Sequence, residues 1–138
     1  MFTKYTSLII PTRNRYKFLK RIIKQIYNLK IKFNEIIIID SSEKKQRELI
    51  KGLNKKYKIK LYFSKPSSSF QRNIGLKKMN AKSKFVMFLD DDVVFLKNAF
   101  KEMEKIVKKN KYNDKIVGFC FNQTERRKES LFEKLKTS

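Results

Sequence analysis

Phe85-Val86-Met87-Phe88-Leu89 runs directly into Asp90-Asp91-Asp92. Five consecutive apolar residues predict a central strand buried on both faces. The three carboxylates fall where that strand ends. Adjacent like charges repel, so massing them beside a buried strand calls for a compensating cation or a hydrogen-bonding ligand. Oxygen donors of this kind suit a hard divalent ion, Mg²⁺ or Mn²⁺, which in turn carries phosphates. The plainer reading is an acidic loop that caps the next helix, and it accounts for one aspartate better than for three. In open α/β sheets, ligands bind at the carboxyl ends of the strands, which is where the triplet falls.

Working outward, the chain alternates between two hydrophobic periods. Residues 5–10 read as a strand stopped by Pro11, with a polar turn at Thr12-Arg13-Asn14-Arg15. Leu19, Ile22, Ile23, Ile26 and Leu29 recur at helical spacing, and the outer face carries Lys17, Lys20, Arg21 and Lys24. Residues 35–39 form a second buried strand that ends in Asp40-Ser41-Ser42. Ser42 is placed to cap a helix whose inner stripe is Leu49, Ile50 and Leu53. A third strand spans 59–63, and a serine-rich loop leads to a short helix near 71–79. After the triplet, Ala99, Phe100, Met103, Ile106 and Val107 mark a helix, 115–121 a fifth strand and 125–136 a charged terminal helix.

This β-α alternation predicts an α/β fold, a three-layer sandwich with a mostly parallel sheet and right-handed crossovers. The first, second and fourth strands each end in a polar cluster. If those strands are neighbours, the clusters line one crevice with the geometry of a nucleotide site. The chain has three glycines and neither a G-x-G-x-x-G nor a Walker A loop, so close backbone approach does not cradle the phosphates. A metal held by carboxylates is expected to do that work.

Composition narrows the classes. With 41% hydrophobic and 13% aromatic residues over 138 positions, one globular domain is expected. A lone cysteine, Cys120, fits a reducing, cytoplasmic setting. No apolar run reaches the roughly 18 residues of a membrane span. Histidine is absent, which removes histidine triads, metal sites and bases together. The net charge is +22, and only seven of the 35 basic residues are arginine. Scattered lysine speaks weakly for nucleic acid, and better for loose contact with an anionic membrane on its inner face.

Four segments, in order, resemble the inverting family-two glycosyltransferases with the A-type nucleotide-diphospho-sugar transferase fold. They are Ser7-Leu8-Ile9-Ile10-Pro11-Thr12-Arg13-Asn14-Arg15, Glu35-Ile36-Ile37-Ile38-Ile39-Asp40-Ser41-Ser42, Ser69-Phe70-Gln71-Arg72-Asn73-Ile74-Gly75 and Phe88-Leu89-Asp90-Asp91-Asp92. The last matches the family's Asp-x-Asp motif. The resemblance implies a nucleotide-sugar donor site built from Pro11, Thr12, Arg13, Arg15, Asp40, Ser41, Arg72, Asn73, Asp90 and Asp91. Thr12, Arg13 and Arg15 would lie against base and pyrophosphate, and Asp40 at the base–ribose end. Arg72 would face the diphosphate, Asn73 brace the loop and Asp91 accept from ribose hydroxyls. Asp92, with Asp90 near, would hold the Mg²⁺ or Mn²⁺.

Two departures from the family matter. Ser41 stands where relatives carry an acidic or amide residue that reads a base edge, so base identity stays open. The family's acceptor half, with its general base, follows the fifth strand, whereas this sequence stops at Ser138. The resemblance therefore implies a truncated donor domain spanning 1–138, with a charged terminal helix within 122–138. Its acceptor, saccharide or lipid-linked, would be handled by a second chain or not at all. A non-catalytic nucleotide-binding module is the alternative. A nucleic-acid-binding protein is disfavoured, because carboxylates at the crevice mouth repel a polyanion.

Overall fold

In the computed structural model, the described residues are 1–121. The terminal helix expected within 122–138, including Glu125, Glu129 and Glu133, lies outside them. After a 3₁₀ turn (Phe2–Tyr5) the elements are β1 (Thr6–Thr12), α1 (Tyr16–Asn28), β2 (Glu35–Asp40), α2 (Lys44–Lys56), β3 (Lys60–Phe63), α3 (Ser68–Lys78), β4 (Phe85–Phe88) and α4 (Ala99–Lys109). Contacts divide the chain into one compact unit over Met1–Val107 and a second that begins at Lys108. Among the described residues, no helix is long and apolar enough to cross a membrane.

The sheet is parallel throughout and ordered β3-β2-β1-β4. The first, second and fourth strands are therefore neighbours, as the crevice requires. The order also reverses at β1, whose successor β2 lies on one side and β4 on the other. Such a reversal opens a gap at the carboxyl ends into which a ligand fits.

Strand pleating sends alternate side chains to opposite faces. Ile9, Ile37 and Ile39 form one face, covered by Ile74 and Met79 of α3 and its C-cap. Leu8, Ile10, Ile36 and Ile38 form the other, equally buried. That face is left for α1 and α2, which bury Leu19, Ile22, Ile23 and Ile26, and Ile50 and Leu53.

Four expectations need correction. First, among the described residues β4 is an edge strand and not a central one, and Phe85, Val86 and Phe88 are about two-fifths exposed. A run of apolar residues does not say how many neighbours a strand has, and among the described residues only β1 pairs with it. Second, Pro11 lies inside β1 and does not stop it. Leu89 N–H donates to the Ile9 carbonyl at 3.1 Å, and Pro11 shares the parity of Ile9. Its missing N–H thus faces the β4 side beyond the last ladder pair, where no donor is needed. Third, Ser42 does not cap α2: the N-cap position is Glu43, and Ser42 Oγ instead accepts from Asn14 N–H at 2.7 Å. Leu49 is exposed, so the inner stripe of α2 is Ile50 and Leu53. Fourth, 115–121 forms no strand among the described residues. Within the second unit, turns close at Lys111–Lys108, Asn113–Asn110 and Ile116–Asn113, and the Phe119 and Phe121 rings stack 6.3 Å apart. Alternating apolar residues there lack a ladder partner, without which a strand is not formed.

The amino ends of the strands are held by a buried carboxylate. Glu35 accepts from Ser7 Oγ (2.5 Å), Asn80 N–H (2.6 Å) and Lys60 Nζ (2.6 Å). Burial alone would raise its pKa, but these donors together hold it below the usual value.

Helix α3 approaches β1 closely because Gly75 has no side chain. A Cβ there would lie 2.5 Å from Ile9 Cγ2, and Ile9 is fully buried and stiff at χ1. Gly75→Ala is therefore expected to cost about 1–3 kcal/mol by overpacking. Urea unfolding would report it as a lower midpoint at constant slope. An unchanged midpoint would mean that the close approach does not constrain the fold.

Candidate donor site at the carboxyl ends of the strands

The crevice is built from the residues that follow β1, β2 and β4. Thr12 closes β1 and is buried, and its hydroxyl donates to Asp91 Oδ2 at 2.8 Å. Arg15 Nη1 reaches Asp91 Oδ1 at 3.3 Å and Asp92 Oδ2 at 3.5 Å. Arg72 of α3 crosses from the other side to Asp90 Oδ1 at 2.9 Å and also donates to Ser68 Oγ. The three aspartates thus differ in environment. Asp91 is buried among Thr12 and Arg15, Asp90 is exposed, and Asp92 lies between. Burial raises the Asp91 pKa above the ordinary carboxylate value; Thr12 and Arg15 oppose that and Asp92 adds to it, leaving a net rise.

At the end of β2, Asp40 is fully buried. Its Oδ1 accepts from Ser42 N–H at 2.9 Å, while Oδ2 has no partner among the described residues. A buried acceptor left unpaired is costly and needs an explanation, and a ligand donor supplies one. Ser41 is tied to β1, its N–H donating to the Thr12 carbonyl at 3.0 Å. Asn14 adopts a left-handed conformation (φ 52°), which asparagine tolerates, and its Oδ1 accepts from Glu43 N–H at 2.9 Å. The loops after β1 and β2 are thereby pinned together.

Of the residues expected here, Pro11, Thr12, Arg15, Asp40, Ser41, Arg72 and the aspartate triplet converge on this end of the sheet. Arg13 is exposed on the loop after β1, and Asn73 is exposed on α3 beside Arg72.

Four further residues escaped the sequence reading. Gln71 is buried, and its Nε2 donates to the carbonyls of Ile39 (2.7 Å) and Thr12 (3.0 Å), stitching the ends of β2 and β1. Its signal was a polar residue four before Gly75 on the inner side of a helix. Gln25 of α1 exchanges two bonds with Phe95, donating to its carbonyl (2.6 Å) and accepting from its N–H (2.9 Å). Arg21 donates to the Asp92 carbonyl at 3.4 Å. Helix α1 therefore holds the segment that carries the triplet. Arg47 donates to the Ser42 carbonyl (3.1 Å) and stacks over Phe63 at 4.9 Å. All five arginines among the described residues, at 13, 15, 21, 47 and 72, cluster at this end of the sheet. Arginine's planar fork suits phosphate oxygens, so this clustering would suit an anionic ligand.

Among the described residues, no group of three or more His, Cys, Asp or Glu side chains could by itself hold a metal ion. Asp92 and Asp90 offer one or two carboxylate oxygens. That donor set fits a Mg²⁺ or Mn²⁺ completed by phosphates and water, and does not fit an all-protein cage.

The model of glycosyl transferase family 2 matches residues 7–136. The chain is 32% identical over 106 residues to the minor teichoic acid biosynthesis protein GgaA of Bacillus subtilis, covering 70% of this chain and 23% of that protein. It is 32% identical over 124 residues to the GalNAc(5)-diNAcBac-PP-undecaprenol beta-1,3-glucosyltransferase of Campylobacter jejuni, covering 86% and 39%. Crystal structures of S. aureus TarS share the fold. One superposes with a TM-score of 0.61 at 19% identity, over 86% of this chain and 23% of that one. Another, TarS 1–349 in complex with UDP, gives 0.54 at 20% identity, over 86% and 38%. The chain thus spans less than half the length of each of these proteins.

Proposed function

This chain belongs to glycosyl transferase family 2, and from that premise we propose that its crevice binds a nucleoside-diphosphate sugar for inverting, metal-assisted transfer. The observation that carries the reading is the convergence of Thr12, Arg15, Arg72 and the aspartate triplet at the point where the strand order reverses. Asp40, with one unpaired buried oxygen, takes a donor from the base or ribose. Asp91, oriented by Thr12 and Arg15, accepts from ribose hydroxyls. Arg72 and Arg15 offer their guanidinium groups to the diphosphate, with Arg13 at the rim. Asp92, with Asp90, would hold Mg²⁺ or Mn²⁺. When bound, that ion neutralises the charge that develops on the leaving diphosphate.

Inversion also needs a base for the acceptor hydroxyl's proton. The described residues supply the donor side, and we assign no base among them. The acceptor is proposed to be a saccharide or a lipid-linked one, in keeping with the undecaprenol-linked substrate in the name of the Campylobacter relative. Work on such an acceptor would place the protein at the inner face of the cytoplasmic membrane. The UDP-bound TarS makes uridine the first base to try.

Calorimetry with UDP, UDP-sugars and uridine in Mn²⁺ tests the reading. UDP should bind at least about tenfold more tightly than uridine, since each charge-assisted hydrogen bond contributes about 1.5–3 kcal/mol. Arg72→Ala should remove most of that difference. Equal binding of UDP and uridine would overturn the donor-site assignment.

A further inference from the structure

We infer that the outer face of α1 is a contact surface for an anionic lipid bilayer. The inference stands on this helix's own surface and does not depend on the transferase reading. Helix α1 contains Lys17, Lys20, Arg21 and Lys24 and no acidic residue, and Arg15 precedes it. All five side chains belong to exposed residues. Positions 17, 20, 21, 24 and 28 fall on one side of a 3.6-residue helix, opposite the buried stripe of Leu19, Ile22, Ile23 and Ile26.

Phe18 lies in the first turn at the edge of this face and is 44% exposed. The guanidinium carbons of Arg21 and Arg15 lie 5.3 and 5.9 Å from its ring centroid. An exposed aromatic ring flanked by cations matches the interfacial zone of a bilayer, where a ring enters the acyl boundary and cations meet phosphates.

The other helices differ. Helix α2 carries six basic residues but also Glu48, which pairs with Lys51, and α4 carries Glu102 and Glu104. Helix α3 lacks acids, but Lys77 and Lys78 lie in its last turn, far from the crevice, and Arg72 is engaged with Asp90. The basic face of α1 instead starts at the crevice mouth, where Arg15 and Arg21 touch the triplet segment. A bilayer on this face would bring lipid head groups to the mouth. A long polyanion tracking across the same surface would meet the three aspartates, whereas a plane touching only the helix does not.

The test uses the full chain with vesicles of phosphatidylcholine, alone or mixed with phosphatidylglycerol. The protein should float with the mixed vesicles only, and 1 M salt should release it. Lys17→Glu/Lys20→Glu/Lys24→Glu should weaken partitioning by at least about a hundredfold, because each basic residue near an anionic surface adds about a fivefold gain and each glutamate adds repulsion. Lys65→Glu/Lys77→Glu/Lys78→Glu, an equal charge change elsewhere, should do far less. The chain has no tryptophan, so Phe18→Trp provides a single reporter whose emission should shift to the blue on mixed vesicles. Circular dichroism and UDP binding, measured on every variant, separate loss of this surface from loss of fold or of the donor site. Equal loss in both triple variants, equal binding to neutral vesicles, no blue shift, or displacement by duplex DNA at matched phosphate would each overturn the inference.

Discussion

Replacing Asp92 with Asn is expected to weaken UDP binding by about two orders of magnitude in Mn²⁺ and to abolish the effect of a chelator. The reason is the donor set. Asp92 and Asp90 provide few carboxylate oxygens, so losing one removes much of what the protein gives the ion. Simple electrostatics predicts the opposite sign. Asp92 sits within 3.5 Å of Arg15, and removing its negative charge leaves that guanidinium less compensated. A bare diphosphate should then bind more tightly. The two readings therefore separate cleanly in a paired calorimetric titration. With Mn²⁺ present, Asp92→Asn should lose affinity, and with chelator present it should equal or exceed the unsubstituted protein. A gain in both conditions would rule out a metal role for Asp92 and leave the triplet as a partner for arginines only.

That experiment turns on residues the sequence already pointed to, and the reason they were legible is local. Asp90, Asp91 and Asp92 follow an apolar run, and Asp40 follows another, so each could be placed at a strand end from hydrophobic period alone. Hydrophobic period does not say which strands are neighbours; the order β2-β1-β4 supplies the adjacency that the crevice needs. What depended on partners distant in the chain was not legible. The exposure of Phe85, Val86 and Phe88 depends on how many strands flank β4, which no local pattern encodes. Pro11 is tolerated in β1 because β4's ladder ends first, a fact of register. Gln71 and Gln25 act on carbonyls 32 to 70 positions away. In sequence they are ordinary polar residues on helices. Asp91 stands out from its two neighbours only because Thr12 and Arg15 close over it.

Asp91→Asn is expected to stabilise the fold at neutral pH while weakening UDP binding about tenfold to a hundredfold. Burial raises the pKa of Asp91 despite the bonds from Thr12 and Arg15, so the folded protein holds this proton more firmly than the unfolded chain does. For a carboxylate shifted upward, the favourable contribution is complete below the unfolded value. It is lost as pH rises from there through the higher folded value. At pH 7 the buried charge is thus a net cost, which an uncharged amide of the same shape avoids. The amide oxygen can still accept from Thr12, and Arg15, half exposed, can turn fully to Asp92. Binding moves the other way, because a neutral amide accepts ribose hydroxyls less strongly than a carboxylate, by about 1–1.5 kcal/mol for each bond. The pH profile adds a signature. Affinity of the unsubstituted protein should fall on acidification at a higher pH than an ordinary aspartate would give, as Asp91 takes up its proton. Asp91→Asn should lack that step. Urea unfolding at pH 7 and calorimetry from pH 7 down to about pH 4 measure both halves. Lower stability at pH 7, or an unchanged acid limb of binding in Asp91→Asn, would show that the buried carboxylate serves the fold and not the ligand.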